Sequence, residues 1–220
     1  MKIIRNILFF IIWWVCRAVA FFVYPRKLIH KERLLKKQKF VAVANHQHWV
    51  DLVYLYLKSP VRFWLLAKKE LREKIWILRF LQKEAGISFV DRENPELSTI
   101  KEIMGVLKKN KPILVFPEGT RNASGNGELQ PLKPGAAMFA IKAQAPMIPT
   151  IVLSPARAFR RNYVYVGEAF DVSEYYGVKM TEELTLEANE KMRNAMLKAQ
   201  GELREYMESK RRKRDKKPKE

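Results

Sequence analysis

The chain has 220 residues, 48% of them apolar, enough to fill one sizeable core but not two comfortable domains. A formal net charge of +19 calls for phosphate-bearing company, whether nucleic acid, an anionic bilayer or a small phosphorylated substrate. The single cysteine, Cys16, excludes an internal disulfide, and the absence of a CxxC pair leaves no zinc or redox signature, a usage that fits a reducing compartment.

Ile7 to Tyr24 is the most apolar stretch, and Trp13, Trp14, Phe21 and Phe22 suit it to a membrane interface. Its eighteen residues reach the lower edge of a spanning helix. Arg17 falls near the middle, where a charge is costly in hydrocarbon. No small-residue cleavage site precedes the basic Pro25-Arg26-Lys27, so the segment reads as retained rather than as a cleaved leader. The expectation is a helix lying in one leaflet with Arg17 snorkelling, monotopic on the cytoplasmic face, with a single-pass span as the alternative. Residues 1–39 carry ten Lys or Arg against one acidic residue, Glu32, which suits an anionic membrane surface.

After a basic connector over 25–39, strand-like and helix-like stretches alternate. Strands are expected at Phe40–Ala44, Val61–Leu66, Ile87–Asp91, Pro112–Pro117, Met147–Leu153 and Tyr163–Val166. Helices are expected at Asp51–Lys58, about Lys68–Lys83, from the capping pair Asn94-Pro95 to Lys109, at Pro134–Ala143, and from Thr181 to about Lys210. This alternation implies an α/β fold: a mixed, largely parallel sheet flanked by helices, preceded by an N-terminal membrane-associated helical segment. The organisation expected is a membrane-associated segment over 1–30, an α/β domain over 31–210, and a disordered basic tail over 211–220, where Lys210 to Lys219 holds eight basic residues.

The chemistry concentrates in four places. Asn45-His46-Gln47-His48-Trp49-Val50-Asp51 follows a strand and spaces His46 and Asp51 by four residues. A histidine oriented by a carboxylate is a general base for a hydroxyl proton. Five helical steps would place the two side chains roughly 140° apart, so contact requires His46 to precede a helix that carries Asp51. Gly86 to Arg92 ends a second strand in Asp91-Arg92. Phe116-Pro117-Glu118-Gly119-Thr120-Arg121 ends a third, and Ile148-Pro149 lies in a fourth. Two guanidinium groups at strand ends make a natural phosphate clamp.

These four blocks, in this order, resemble the glycerolipid acyltransferase family over about residues 38–155, and Asp91-Arg92 resembles its lysophosphatidate branch. The resemblance implies an enzyme of phospholipid synthesis that transfers a fatty acyl group to the free sn-2 hydroxyl of 1-acyl-glycerol-3-phosphate, making phosphatidate. It assigns His46 and Asp51 to catalysis. It assigns Arg92, Glu118, Gly119, Thr120 and Arg121 to the acceptor phosphate. It implies no metal and no cofactor, with acyl-CoA or acyl-carrier protein as co-substrate, and no nucleic acid. Two positions depart from the family pattern, with His48 and Asn122 standing where serine is usual. Lys133-Pro134-Gly135 also stiffens a segment that is often Lys-x-Gly in relatives. No Gly-x-Ser-x-Gly elbow is present and Cys16 lies in the apolar segment, so the residues agree with direct transfer to a substrate hydroxyl.

Other readings compete. A relative could act on another lysophospholipid or on glycerol-3-phosphate. His46, His48 and Asp51 superficially suit a metal-dependent hydrolase, although the third histidine, His30, is remote in sequence. The charge alone permits a nucleic-acid-binding protein, but no helix-turn-helix, zinc finger or RNA-binding aromatic motif accompanies it. A catalytically dead membrane scaffold is the remaining alternative.

Overall fold

The computed structural model describes residues 2–215 apart from 35, 36, 49, 58, 92–95, 123–126, 154 and 155. Seven strands form one sheet: β1 (Arg26–Ile29), β2 (Val41–Ala44), β3 (Trp64–Lys68), β4 (Ile87–Val90), β5 (Ile113–Val115), β6 (Met147–Ile151) and β7 (Asn162–Val166). Their spatial order is β1-β7-β6-β2-β5-β3-β4. The five strands from β6 to β4 run parallel, whereas β7 is antiparallel to β6 and takes β1 as its parallel edge partner.

Strand alternation divides the core between the two faces. Val41 and Val43 of β2 face one apolar cluster, with Ile113 and Val115 of β5. Ala42, Ala44 and Leu114 face the other. Helices α5 (Leu97–Lys108), α6 (Gly135–Ala143) and α7 (Glu182–Asp215) cover the first face. The second face is covered by α1 (Lys2–Val23), α2 (Val50–Leu57) and α4 (Trp76–Ala85), with the short exposed α3 (Lys69–Lys74) leading into α4.

Adjacent strands β2 and β5 therefore send their chains to opposite faces, β2 into α2 and β5 into α6. The C-terminal ends of such a pair open a crevice between diverging loops, the usual place for a ligand in a sheet of this kind. His46 and Phe116–Arg121 flank that crevice.

Several expectations require correction. The basic connector contains β1, because Arg26, Lys27 and their neighbours pair with Asn162 to Tyr165 along an edge where Lys27 stays exposed. The sheet thus starts at Arg26, and the boundary expected at residue 30 falls after its first strand. The single helix expected over 68–83 is two helices, since Ile75 adopts φ −124 and ψ 88 between them. The strand expected at 61–66 is displaced to Trp64–Lys68, where ladder partners in β4 and β5 exist. Of the tail expected to be disordered over 211–220, residues 211–215 continue α7, and 216–220 lie outside the described residues. Asn94-Pro95 lies outside the described residues; α5 begins at Leu97 with Glu96 as its N-cap.

Arg17, expected to snorkel, has partners within the protein. Its Nη1 donates to the Leu57 carbonyl at the end of α2, and its guanidinium lies 6.0 Å from the Trp14 ring centroid. The last carbonyls of a helix lack intrahelical donors, so they offer a cation both a hydrogen bond and the negative end of the helix dipole.

Candidate active site

Strand β2 ends at Ala44, and the next residue fixes the geometry of everything after it. Asn45 is fully buried, and its Nδ2 donates to the Val152 carbonyl at 2.6 Å while its Oδ1 accepts from Val152 N–H at 2.8 Å. This two-way amide clasp ties the end of β2 to the chain leaving β6. The loop then turns back on Asp51 in the first turn of α2. Asp51 Oδ2 accepts the backbone N–H of Gln47 at 2.7 Å, the N–H of His48 at 2.6 Å, and His46 Nδ1 at 3.2 Å. The Asp51 N–H donates to the His48 carbonyl at 3.0 Å. The loop is thus wound around one carboxylate oxygen, with Asp51 itself wholly buried.

An oxygen that accepts two backbone N–H groups acts as an acceptor toward His46 as well, so Nδ1 carries the hydrogen and the lone pair is on Nε2. The ring is held from a second side by Phe116, stacked with centroids 4.4 Å apart at 28°. With 17% of its side chain exposed, His46 is half-sheltered and still reachable by a substrate. That is the arrangement of a positioned general base. His48 does something else: its Nδ1 accepts from the Val50 N–H at 3.3 Å, capping the start of α2. A serine hydroxyl could do the same work, which accounts for the departure at this position. Among the described residues no group of three His, Cys, Asp or Glu side chains stands close enough to hold a metal ion.

The loop after β5 supplies the other wall. Glu118 is buried and its Oε1 accepts the His46 backbone N–H at 3.3 Å. Burial pushes its carboxyl up to about 7, against the lowering effect of N–H groups from His46 and Gln130 and with a further push from the Asp51 charge. A buried carboxylate is a poor partner for a phosphate. The geometry makes Glu118 a strut beneath His46, a role that sequence reasoning missed. Asn122 adds a second strut, its N–H donating to the His46 carbonyl at 2.7 Å and its Nδ2 to the Glu128 carbonyl at 2.7 Å.

Gly119 has φ +72, and an added Cβ would meet Lys133 Cε at 3.3 Å, so the glycine permits both the turn and the close passage of that lysine. Thr120 and Arg121 are exposed at the rim, Thr120 Oγ1 lying 3.4 Å from Gln130 Oε1. Arg92 lies outside the described residues. Lys133 is the basic residue sequence reasoning passed over as a ligand; its only signal was a lysine beside a proline–glycine pair. Between these rims lies an apolar cavity of about 350 Å³, walled by Leu66, Val90, Phe116, Met138 and Phe139, with Gly119 and Lys133 also lining it. One site therefore combines a base, exposed cations and an apolar pocket.

Because the folded state raises the Glu118 pKa, it binds an extra proton relative to the unfolded chain between about pH 4.5 and 7. Its contribution favours folding below that window and is lost as pH rises through it. Glu118→Gln should flatten this part of the profile, raising stability relative to wild type at pH 8 more than at pH 5. Equal thermal shifts at both pH values would contradict the assignment.

The family described as Acyltransferase matches residues 26–153, more than half of the chain, starting at the first residue of β1. A 1-acyl-sn-glycerol-3-phosphate acyltransferase of Bacillus subtilis (strain 168) is 37% identical over 131 residues, which cover 59% of this chain and 63% of that one. The human 1-acyl-sn-glycerol-3-phosphate acyltransferase beta is 31% identical over 150 residues, 66% of this chain and 52% of its own. The aligned part thus spans less than two thirds of either relative. The crystal structure of the 1-acyl-sn-glycerophosphate acyltransferase of Thermotoga maritima superposes with a TM-score of 0.59 at 19% identity, covering 91% of this chain and 97% of that one, and so shares its fold. With the family match spanning both walls of the crevice, the chain belongs to the acyltransferase family.

Proposed function

We propose that this protein transfers a fatty acyl group from an acyl thioester to the free sn-2 hydroxyl of 1-acyl-glycerol-3-phosphate, making phosphatidate. The observation that carries the reading is the Asp51-held His46, its ring stacked on Phe116, which in turn lines an apolar cavity bordered by Gly119 and Lys133. The names of the similar acyltransferases support the acceptor.

In this mechanism Nε2 of His46 removes the hydroxyl proton as the oxygen attacks the thioester carbonyl. The tetrahedral intermediate collapses, the carbon–sulfur bond breaks, and the proton on Nε2 is available to the departing thiolate. Asp51 keeps the ring in the required tautomer and stabilises its transient positive charge. Phosphate held by Arg121 and Lys133 positions the acceptor, and the apolar cavity receives acyl chain. Either acyl-CoA or an acyl-carrier protein satisfies this chemistry. The test is incubation of the purified protein with lysophosphatidate and each donor, followed by assay for phosphatidate; no product with either donor would refute the reading.

Removing the Arg121 guanidinium (Arg121→Ala) should raise KM for lysophosphatidate about 10–100-fold, the usual worth of a charged hydrogen bond, with little change in KM for the donor. Equal losses for both substrates would indicate a structural role instead.

The protein is proposed to sit on one leaflet of the cytoplasmic membrane face. Support comes from the way α1 lies against the domain along its length. Arg5 Nε donates to Glu84 at 2.7 Å, Trp13 meets Tyr56 edge-on at 4.8 Å, Arg17 holds Leu57, and Ala20 is buried. The outer side exposes Ile3, Ile7, Phe10, Trp14 and Phe22. A helix docked this way offers lipid one side only, which suits insertion parallel to the surface.

A further inference from the structure

A second cleft, of about 680 Å³, lies at the opposite ends of the strands from His46. Its walls come from the first turns of α1, the residues entering β3 and β5, and the end of α4. The register places Trp64 beside Ile113 and Ile113 beside Val41, so the cleft is level with the start of β2. Five residues of strand rise, about 16 Å, separate that level from His46. The side chains of the cleft are thus too far away to touch the atoms that react at His46.

Its chemistry is unbalanced. Arg5, Arg62, Lys83 and Lys111 line it against one carboxylate, Glu84. Glu84 is already engaged by Arg5 at 2.7 Å. Arg62 is fixed by the Glu84 carbonyl and lies 5.3 Å from the Phe9 ring centroid. Lys83 and Lys111 are exposed, with no ion pair to another described residue. Trp64, whose Nε1 donates to Ser88 Oγ at 2.7 Å, gives the cleft a rigid aromatic back wall.

The surroundings indicate what the cations meet. On one side is the exposed apolar face of α1. On the other, the outer face of α4 exposes Trp76 (73%) and Phe80 (41%), one turn apart and beside Arg79 and Lys83. Apolar and aromatic side chains among lysine and arginine form the pattern of a surface that settles into headgroups. With both faces settled in headgroups, a cationic cleft between them would meet lipid phosphate.

We propose that this cleft is a second lipid site, which takes the phosphate headgroup of an anionic phospholipid through Arg62, Lys83 and Lys111 and fixes how the enzyme rests on the bilayer. The inference rests on the placement of α1 at a membrane surface proposed above.

The test is vesicle flotation of the full chain, comparing neutral phosphatidylcholine vesicles with vesicles that also contain phosphatidylglycerol. Lys83→Ala/Lys111→Ala should bind the anionic vesicles about thirtyfold more weakly than wild type, two surface cations having been removed. It should keep wild-type binding to neutral vesicles and wild-type acyl transfer in detergent micelles. A control of equal charge, Lys142→Ala/Lys179→Ala, takes its cations from α6 and the segment before α7, and should change anionic binding by less than about threefold. Equal losses in the two variants would assign the effect to diffuse charge and overturn the proposal. Competition by glycerol phosphate at millimolar concentration would point to a soluble phosphate ligand and overturn it too. If wild type bound neither kind of vesicle, the membrane placement itself would fail, and this site with it.

Discussion

His46→Ala should lower kcat for acyl transfer by about 10²–10⁴-fold while leaving the circular dichroism spectrum and both KM values near wild type. The reason is local: with Nδ1 engaged by Asp51, Nε2 is the ring nitrogen left to take a proton, and the ring's other contact is its stacking on Phe116. Asp51→Asn should also cost about 10²-fold or more, because an amide can still accept from Gln47 and His48 but cannot stabilise an imidazolium. Its deeper burial makes some loss of stability part of that result, so a melting curve belongs beside the rate. His48→Ser supplies the contrast. A hydroxyl can cap Val50 as the imidazole does, and activity within about threefold of wild type is expected. A His46→Ala rate above a few per cent of wild type would remove the general-base assignment.

The largest stability effect should come from Asn45, which makes no chemistry of its own. Its side chain closes two hydrogen bonds with the Val152 backbone in a fully buried setting. Asn45→Ala leaves a buried N–H and a buried carbonyl without partners, costing about 2–4 kcal/mol. In a chain of this length that lowers the melting temperature by roughly 5–15 °C. Asn45→Asp should fare no better, since its second oxygen would face the Val152 carbonyl. Acyl transfer should fall as well, because the clasp sets where the His46 loop leaves β2. A melting temperature within about 2 °C of wild type would show that the clasp carries little energy.

Most sheet elements and the His46–Asp51 contact were legible in the sequence for a common reason. Apolar periodicity shows where a segment buries a face, and His46 and Asp51 lie close enough in the chain for one loop to join them. The resemblance of four short blocks then placed the chain among acyltransferases, and the family match agrees. Edge strand β1 was not legible, because a strand solvated along one side shows Arg26 and Lys27 where a pattern-reader expects alternation. The break at Ile75 was hidden in an amphipathic pattern that continues across it.

The local sequence of this protein determined six of its seven strands, most of its helices, the loop that pairs a histidine with an aspartate, and an apolar leading helix. Only the tertiary structure decided how these parts serve one another. Glu118 reads as a phosphate-site residue beside Gly119, yet it lies buried under the His46 amide, 72 positions earlier in the chain. Arg17 reads as a charge seeking water, yet it caps α2 across 40 residues. Lys133 reaches the crevice because Gly119 has no side chain to stop it. Such partners are chosen by the sheet order, which inserts β5 between β2 and β3, and no local pattern encodes that order. Periodicity reports whether a side chain is buried; which distant group it meets follows from burying both faces of one sheet at once.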